Sequence, residues 1–465
     1  MATLCDETGN LLRDIPESQL IELAETVRLR SEEAGLFFYP KLNARRLIRL
    51  NLRPMIISAE QADYVGRVYL EMERAAKMIF SIRRQDLSVR ELLPVEPEIE
   101  SLMESSLAAG HLHPQTFFGR ADSVCDVSAK NWKESLRIVE MNLSGLGACY
   151  YAGAADKIIW ECLNRTLIDR FPKTGFKPAH EFIDLLIKQA IAHAGLINRS
   201  AASVGMISFD SEKLGPDELS KTVGIFKERN YRICACEPPE LRQSGEEIVC
   251  GNGIVDVVYR DTTVSDLLEG EKTGDDMTGL RAAFLSNQVV SGIAGDLDHK
   301  AILELFTSER YRRFFTTEQR DLFRRHVIWT RVVRDVRTDA PDGGDVGLIE
   351  YIRANRRTLL LKPNTGYGGK GVLFGPSHST AEWDLAIAEA LAEPSSCVVQ
   401  VFVPPPVVLC PVAREGRISW EEYKYVLAFS ASQFGVTFLN RFSKSGAVNI
   451  SGDAGIMGTM IADRG

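Results

Sequence analysis

No uninterrupted hydrophobic run in the chain approaches the roughly 20 residues that a membrane-spanning helix needs, so no membrane segment is expected. A surplus of positive charge is also missing. Lys and Arg number 55 against 63 Asp and Glu, for a net charge of -8, and nothing argues for a nucleic-acid partner. The first residues, MATLCDETGNLLRD, carry acids early and lack a basic stretch followed by an apolar one, so no secretory leader is expected. Paired cysteine motifs are absent too. The nine cysteines are scattered, and Cys234-Ala235-Cys236 is tighter than a C-x-x-C pair and has no partner pair. That argues against structural zinc and for buried thiols in a reducing cytoplasm. No internal duplication or low-complexity tract is evident.

What is present suits a folded globular chain, with 45% hydrophobic and 25% charged residues. At 465 residues it is too long for one small core, so two or three packed units are expected, of mixed α+β or α/β multi-layer class. The first hundred residues read as mainly helical. Val65, Val68, Tyr69, Met72, Ala76 and Ile79 recur at helical spacing and define one buried face. The Arg-rich segment Ala44–Arg53 reads as a solvated helix face, with anion binding as the alternative. Phe182–Ile197 is an apolar helix. Ser203–Phe209, Pro216–Glu228 and Tyr231–Cys236 follow as strand, helix and strand. Gly251-Asn252-Gly253 marks a hairpin between Gly245–Cys250 and Ile254–Tyr259. Glu269–Gly279 reads as a polar, mobile loop, and Thr338–Gly347 as another flexible break.

The most informative stretch is Thr358–Gly375, TLLLKPNTGYGGKGVLFG. An apolar strand runs into Lys362, then into a turn with Gly366, Tyr367, Gly368, Gly369, Lys370 and Gly371, and an apolar strand resumes. Glycines let a backbone approach a ligand and turn its N–H groups toward it, and the two lysines add positive charge, which suits a nucleotide phosphate. Rival motifs fail on context. G-x-G-x-x-G must open a helix, but a strand and Pro376 follow here. A Walker A lysine needs Ser or Thr after it, and Gly371 stands there. No H-R-D or D-F-G accompanies the loop, as a protein kinase would require. An ordinary hairpin with a mobile tip is the plain alternative.

Oxygen ligands form a second pattern. In Leu136–Asn142, Glu140 and Asn142 lie two apart on an alternating strand and so share a face. With Asp122 on a neighbouring strand they could hold Mg²⁺; a polar rim at a strand end is the other reading. Val255–Arg260 ends in Arg260-Asp261, a candidate site or a surface ion pair. Lys300 near a helix start would add to a phosphate site. Cys397–Val403 is a buried strand that breaks into Pro404-Pro405-Pro406, where exposed backbone groups could meet an adenine.

Taken together, Arg120-x-Asp122, Glu140-x-Asn142, Lys300, Lys362-Pro363 with its glycine loop, Gln400-Val401-Phe402-Val403, Arg441 and Asn449 resemble the ATP-grasp carboxylate–amine ligases. The order, with E-x-N more than two hundred residues before the lysine strand, is that of the circularly permuted branch that includes glutathionylspermidine synthetase. The resemblance covers residues 114–460 in patches. It implies an ATP-grasp fold in permuted order with an N-terminal helical region. The parts are residues 1–113 (mainly helical), 114–200 (metal-binding), 201–300 (an α/β substrate side) and 301–465 (nucleotide-binding). It implies ATP contacts from Lys300, Lys362, Gly366, Tyr367, Gly368, Gly369, Lys370, Gln400, Val401 and Val403. Mg²⁺ would be held by Asp122, Glu140 and Asn142, and Arg120, Arg260 and Arg441 would be catalytic. Val401 stands where family members commonly carry an acid, the Asp122-to-Glu140 spacing is long for the family, and no amidase domain is evident. The implied activity is ADP-forming amide or peptide bond formation through an acyl phosphate, on a small carboxylate and a small amine. A kinase on the same fold and a non-catalytic ATP-binding module are the alternatives. A homodimer is the default expectation.

Overall fold

The computed structural model describes residues 3–463 apart from 42–43, 111–115, 201–202, 209–214, 217, 252, 367–368 and 446–453. Its longest helix shows how the sequence sets the frame. Ser58 caps it: the Ser58 hydroxyl accepts from the Gln61 N–H at 3.1 Å, and the Gln61 side chain accepts from the Ser58 N–H at 2.9 Å. The helix Ala59–Gln85 then buries the expected face, including Val65, Val68, Tyr69, Met72, Ala76 and Ile79. Gly66 lets its backbone settle onto the sheet, since a Cβ there would come 2.6 Å from a Val436 methyl.

That sheet is the largest in the molecule. In space its strands run Leu50–Ser58, Gly455–Ala462, Gly435–Ser443, Arg417–Ser432, Arg120–Val124 and Arg137–Asn142. Val407–Arg414 also pairs with Arg417–Ser432, and Phe176–Pro178 with Gly455–Ala462. Leu50–Ser58 is parallel to Gly455–Ala462; the other pairings are antiparallel. This corrects the reading of the N-terminal region. The Arg-rich segment is strand from Ala44 to Leu47 and from Leu50 to Ser58, not a helix face. Residues 51–57 are all buried, as in a strand covered on both sides, and Arg53 is buried with them, donating to the carbonyls of Cys5 at 2.9 Å and Leu409 at 3.1 Å. The boundaries at 113 and 300 therefore do not separate sheets, because this one draws strands from residues 50–58, 120–142 and 407–462.

A four-stranded antiparallel sheet holds the lysine strand, in the order Thr330–Val332, Cys397–Val401, Leu359–Pro363, Leu373–Phe374. Alternation divides it. Leu359, Leu361 and Val399 face a separate core with Trp329, Ile352, Trp383 and Ile387, under the helices Leu348–Ala354 and Thr380–Ala392. Leu360, Lys362 and Gln400 face the other way. The two sheets meet where the Ile328 N–H donates to the Ile138 carbonyl at 3.0 Å and the Gln400 amide to the Val139 carbonyl at 3.2 Å.

A parallel sheet runs Val289–Val290, Val257–Arg260, Ser203–Ile207, Arg232–Cys236, which fits the expected strand–helix–strand run; the helix spans Leu219–Glu228. The hairpin forms between Glu247–Cys250 and Gly253–Val255, but its second arm stops at Val255 and Val257–Arg260 enters the parallel sheet instead. Glu269–Gly279 is mostly not a loop: the helices Val264–Thr273 and Thr278–Leu285 take up most of it. Thr263 and Asp266 form a capping box, left-handed Gly274 ends the first helix, and buried Leu267, Leu268, Met277 and Leu280 anchor the pair. Among the described residues no helix is long and apolar enough to cross a membrane.

Candidate active site

The faces of the two sheets that point away from their helices enclose a cleft of about 420 Å³. On the large-sheet side the strands Arg120–Val124 and Arg137–Asn142 pair so that Arg120 lies opposite Asn142 and Asp122 opposite Glu140. Cross-strand partners share a face, so all four expected residues line the cleft. A bulge follows Asp122, and Ser123 pairs with Ile138.

Asp122 is the most constrained of them. Arg120 Nε donates to one of its oxygens at 2.8 Å, and a terminal nitrogen of Arg441 lies 3.0 Å from the other. Burial alone would raise this carboxyl, but the two guanidiniums outweigh it and hold it well below the ordinary carboxylate range. Arg120 also donates to the Gly147 carbonyl at 3.1 Å. Glu140 is the freer carboxylate; its nearest cation is Lys300, at 3.3 Å. The Asn142 Nδ2 is buried with no partner among the described residues. The turn after Asn142 is fixed by Asp298, which accepts from the Leu143 N–H at 3.0 Å. Burial pushes the Asp298 carboxyl up to about 7, and Asp296 and Glu140 add to the rise.

On the other side Lys362 extends from its strand into the cleft and is 9% exposed. Burial lowers its ammonium to about 8; Glu140 and Asp122 act to raise it and Lys300 to lower it. Lys300 donates to the Gly366 carbonyl at 2.8 Å and so ties Glu140 to the root of the glycine loop. Gly366, Gly369 and Gly371 have φ of 93°, 67° and 71°, in the left-handed region that glycine accepts without strain. Gly366, Gly369 and Lys370 line the cleft; Tyr367, Gly368 and Asn449 lie outside the described residues. At the apolar end stand Leu360, Val372, Phe374, Val401, Phe402 and Val403. Val403 makes no backbone–backbone hydrogen bond among the described residues. Gln400 also lines the cleft, but its amide is engaged at the joint between sheets, with Thr330 at 2.9 Å and Val139.

Arg260 is a correction. It does not line the cleft. Its side chain is fully buried, paired with Asp296, and donates to the carbonyls of Ser291 at 2.8 Å and Thr262 at 2.7 Å. A guanidinium so enclosed braces the parallel sheet against the segment that leads to Lys300. Asn364, in turn, escaped the sequence reading. It is buried, its side chain accepts from the Ala301 N–H and donates to the Ser395 carbonyl, both at 2.9 Å, and its carbonyl accepts from the Lys300 N–H at 2.9 Å. Asn364→Ala is expected to cost about 1–3 kcal/mol of stability, because it leaves the buried Ala301 N–H and the partly buried Ser395 carbonyl without their partner. A urea denaturation curve checks this.

No family model matches the chain, and no curated protein matches it in sequence. The mixed α+β architecture, with its several sheets, is similar to that of a glutathione synthetase-like structure. One solved protein it is similar to is a glutathione synthetase-like effector from Globodera pallida in its apo form. The two superpose with a TM-score of 0.65 and 12% identity, over 97% of this chain and 98% of that one. At that identity the likeness is one of fold.

Proposed function

We propose that the cleft takes ATP with Mg²⁺ and activates a small carboxylate for attack by an amine, as an ADP-forming ATP-grasp ligase. The observation that carries this reading is the convergence, on one cleft between two sheets, of Glu140, Asn142, Lys300, Lys362 and the glycine loop, with Arg120 and Arg441 beside them. Similarity in fold to a glutathione synthetase-like protein supports it.

The donors suit the nucleotide. The apolar end would accommodate a flat base, with Val403, whose backbone makes no backbone–backbone hydrogen bond among the described residues, at its edge. Lys362 lines the cleft and makes no ion pair within 4.0 Å among the described residues, so its ammonium would be free to meet phosphates. For Mg²⁺, the Glu140 carboxylate and the Asn142 side-chain oxygen would hold the ion, since both residues are partly exposed and line the cleft. Asp122 is better placed to aim Arg120 and Arg441, since both of its oxygens are already taken. Among the described residues no three His, Cys, Asp or Glu side chains gather into a metal-holding group, so substrate phosphates would complete the shell. Mg²⁺ would neutralise phosphate oxygens and favour loss of ADP.

The chemistry follows from leaving groups. A carboxylate cannot lose oxide to an amine at neutral pH. Its oxygen attacks the γ-phosphorus, the bond to the β–γ bridging oxygen breaks, and ADP departs. Lys362 and Arg120 stabilise the charge on the transferring group, where fixed donors count most. The glycine loop, closed over the phosphates, keeps water from the acyl phosphate. The amine nitrogen then attacks the carbonyl carbon, the C–O bond to phosphate breaks, and the nitrogen gives up a proton. A second reading, a nucleotide-binding module that works without metal, is favoured by the pairing of Asp122 with two arginines and of Glu140 with Lys300. Incubation with Mg²⁺-ATP and pooled amino acids, followed by mass spectrometry, separates the readings. A ligase yields ADP and a condensed mass, a kinase yields ADP and a phosphorylated mass, and a binding module yields neither.

A further inference from the structure

Three of the nine cysteines meet at one place outside the cleft. Cys234 and Cys236 stand two apart on the strand Arg232–Cys236, so both side chains leave the same face of the parallel sheet. The hairpin strand Glu247–Cys250 ends against that face. There the Cys250 thiol donates to the Cys236 sulfur at 2.9 Å, and the Cys234 thiol donates to the Cys250 carbonyl at 2.8 Å. A disulfide bond is roughly 2.05 Å long, so the Cys236 and Cys250 sulfurs are within about 1 Å of bonding distance. Cys250 is fully buried, Cys236 is 7% exposed and Cys234 is half-buried.

The six other thiols are of a different kind. Burial pushes Cys125 and Cys397 up to about 12 and Cys410 up to about 11, so almost none of each is thiolate at neutral pH. Burial also raises Cys5, Cys149 and Cys162. Cys236 moves the other way, because the hydrogen bond from Cys250 outweighs its burial and lowers its thiol. Cys250, the donor in that bond, is raised. The shared proton thus stays with Cys250, and Cys236 is the sulfur poised to attack.

We propose that Cys236 and Cys250 form a thiol–disulfide site that is closed by small organic disulfides. The Cys236 thiolate attacks one sulfur of the small disulfide. A new S–S bond forms, the old one breaks, and the first small thiol leaves with the electron pair and takes up a proton. The Cys250 sulfur gives up its proton, attacks the Cys236 sulfur and displaces the second small thiol. The two cysteines lose two electrons and two protons, and the small disulfide gains both as two thiols. Cys234, through the Cys250 carbonyl, holds the end of the hairpin in place for this step. The closed bond ties the hairpin to the parallel sheet across 14 positions of sequence and restrains that loop. The site stays open where thiols are kept reduced and closes where small disulfides prevail. It does not depend on the ligase reading, since none of the three cysteines lines the cleft.

The test treats the folded full chain with hydroxyethyl disulfide at mildly alkaline pH. Samples are quenched in acid, free thiols are blocked with N-ethylmaleimide, and the peptides are mapped without reduction. Wild type should yield the Cys236 and Cys250 peptides joined, two hydrogens lighter than their sum. Cys236 should be consumed on the order of 10-fold or more faster than Cys125, Cys397 or Cys410. Cys250→Ser should stop at a mixed disulfide between Cys236 and mercaptoethanol, which identifies Cys236 as the attacking sulfur. Cys234→Ser keeps a donor for the Cys250 carbonyl and should close like wild type. Amide exchange across Leu241–Cys250 should slow on the order of 10-fold when the bond closes. A link between Cys234 and Cys250, a Cys236 that reacts no faster than Cys125, or peptides that stay unjoined in wild type overturns the proposal. The joined peptide is measured in wild type, so that result stands whether or not a variant folds.

Discussion

Lys362→Met is expected to abolish turnover and, at neutral pH, to make the protein more stable. The ammonium is buried, and burial lowers it from 10.5 to about 8. Between those values the unfolded chain binds more protons than the folded one, so wild-type stability rises with pH over that window. Below about 8 the cost of keeping a charged lysine in the cleft is present in full, and above 10.5 it has gone. Methionine has similar length and no proton to bind. The variant should therefore exceed wild type by on the order of 2–3 kcal/mol at neutral pH, with the gap closing on the alkaline side. Turnover should fall by about 10³ or more, since the proposed role of Lys362 is a fixed charge at the transferring phosphoryl group. Melting temperature against pH and ADP release in the same preparations provide the check. A variant that melts below wild type at neutral pH, or that turns over normally, contradicts the role given to Lys362.

Glu140→Gln is expected to have a second large effect. The substitution keeps the shape of the side chain and removes its charge. Loss of an anionic donor should lower Mg²⁺-dependent turnover by about 10²–10³. It should also act on the lysines. Glu140 is the nearest anion to Lys300 and the main group raising Lys362. Without it Lys362 should lose its proton below 8. ATP affinity, which should decline in wild type as pH rises through about 8, should then begin to decline at lower pH. Calorimetric titration of ATP into both proteins from neutral to alkaline pH reads this directly; coincident profiles would separate Glu140 from the lysines.

Much of the site was legible because its signals are local. The alternation of Leu136–Asn142 placed Glu140 and Asn142 on one face, and the strand before Lys362 declared itself by its apolar run. The face of Ala59–Gln85 followed from helical spacing. What was not legible depends on partners far away in sequence. Leu50–Ser58 looks like part of an arginine-rich surface until Gly455–Ala462 pairs with it, four hundred residues later. Arg260 ends its strand as a functional residue would, and only the position of Asp296 shows that it is enclosed. Asn364 and Glu218 are unremarkable letters whose roles come from hydrogen bonds to Ala301 and Ala148. In Glu269–Gly279 charged residues on the solvent side hid the apolar contacts that make two helices.

The central claim is that this cleft passes a phosphoryl group from ATP to a carboxylate. Transfer through an acyl phosphate leaves one carboxylate oxygen on the phosphate that is released. The direct measurement supplies Mg²⁺-ATP, hydroxylamine and a pool of amino acids whose carboxyl groups carry heavy oxygen, and weighs the phosphate by mass spectrometry. The account predicts ADP together with phosphate bearing one heavy oxygen. ADP with unlabelled phosphate, AMP with pyrophosphate, or no nucleotide turnover at all would contradict it.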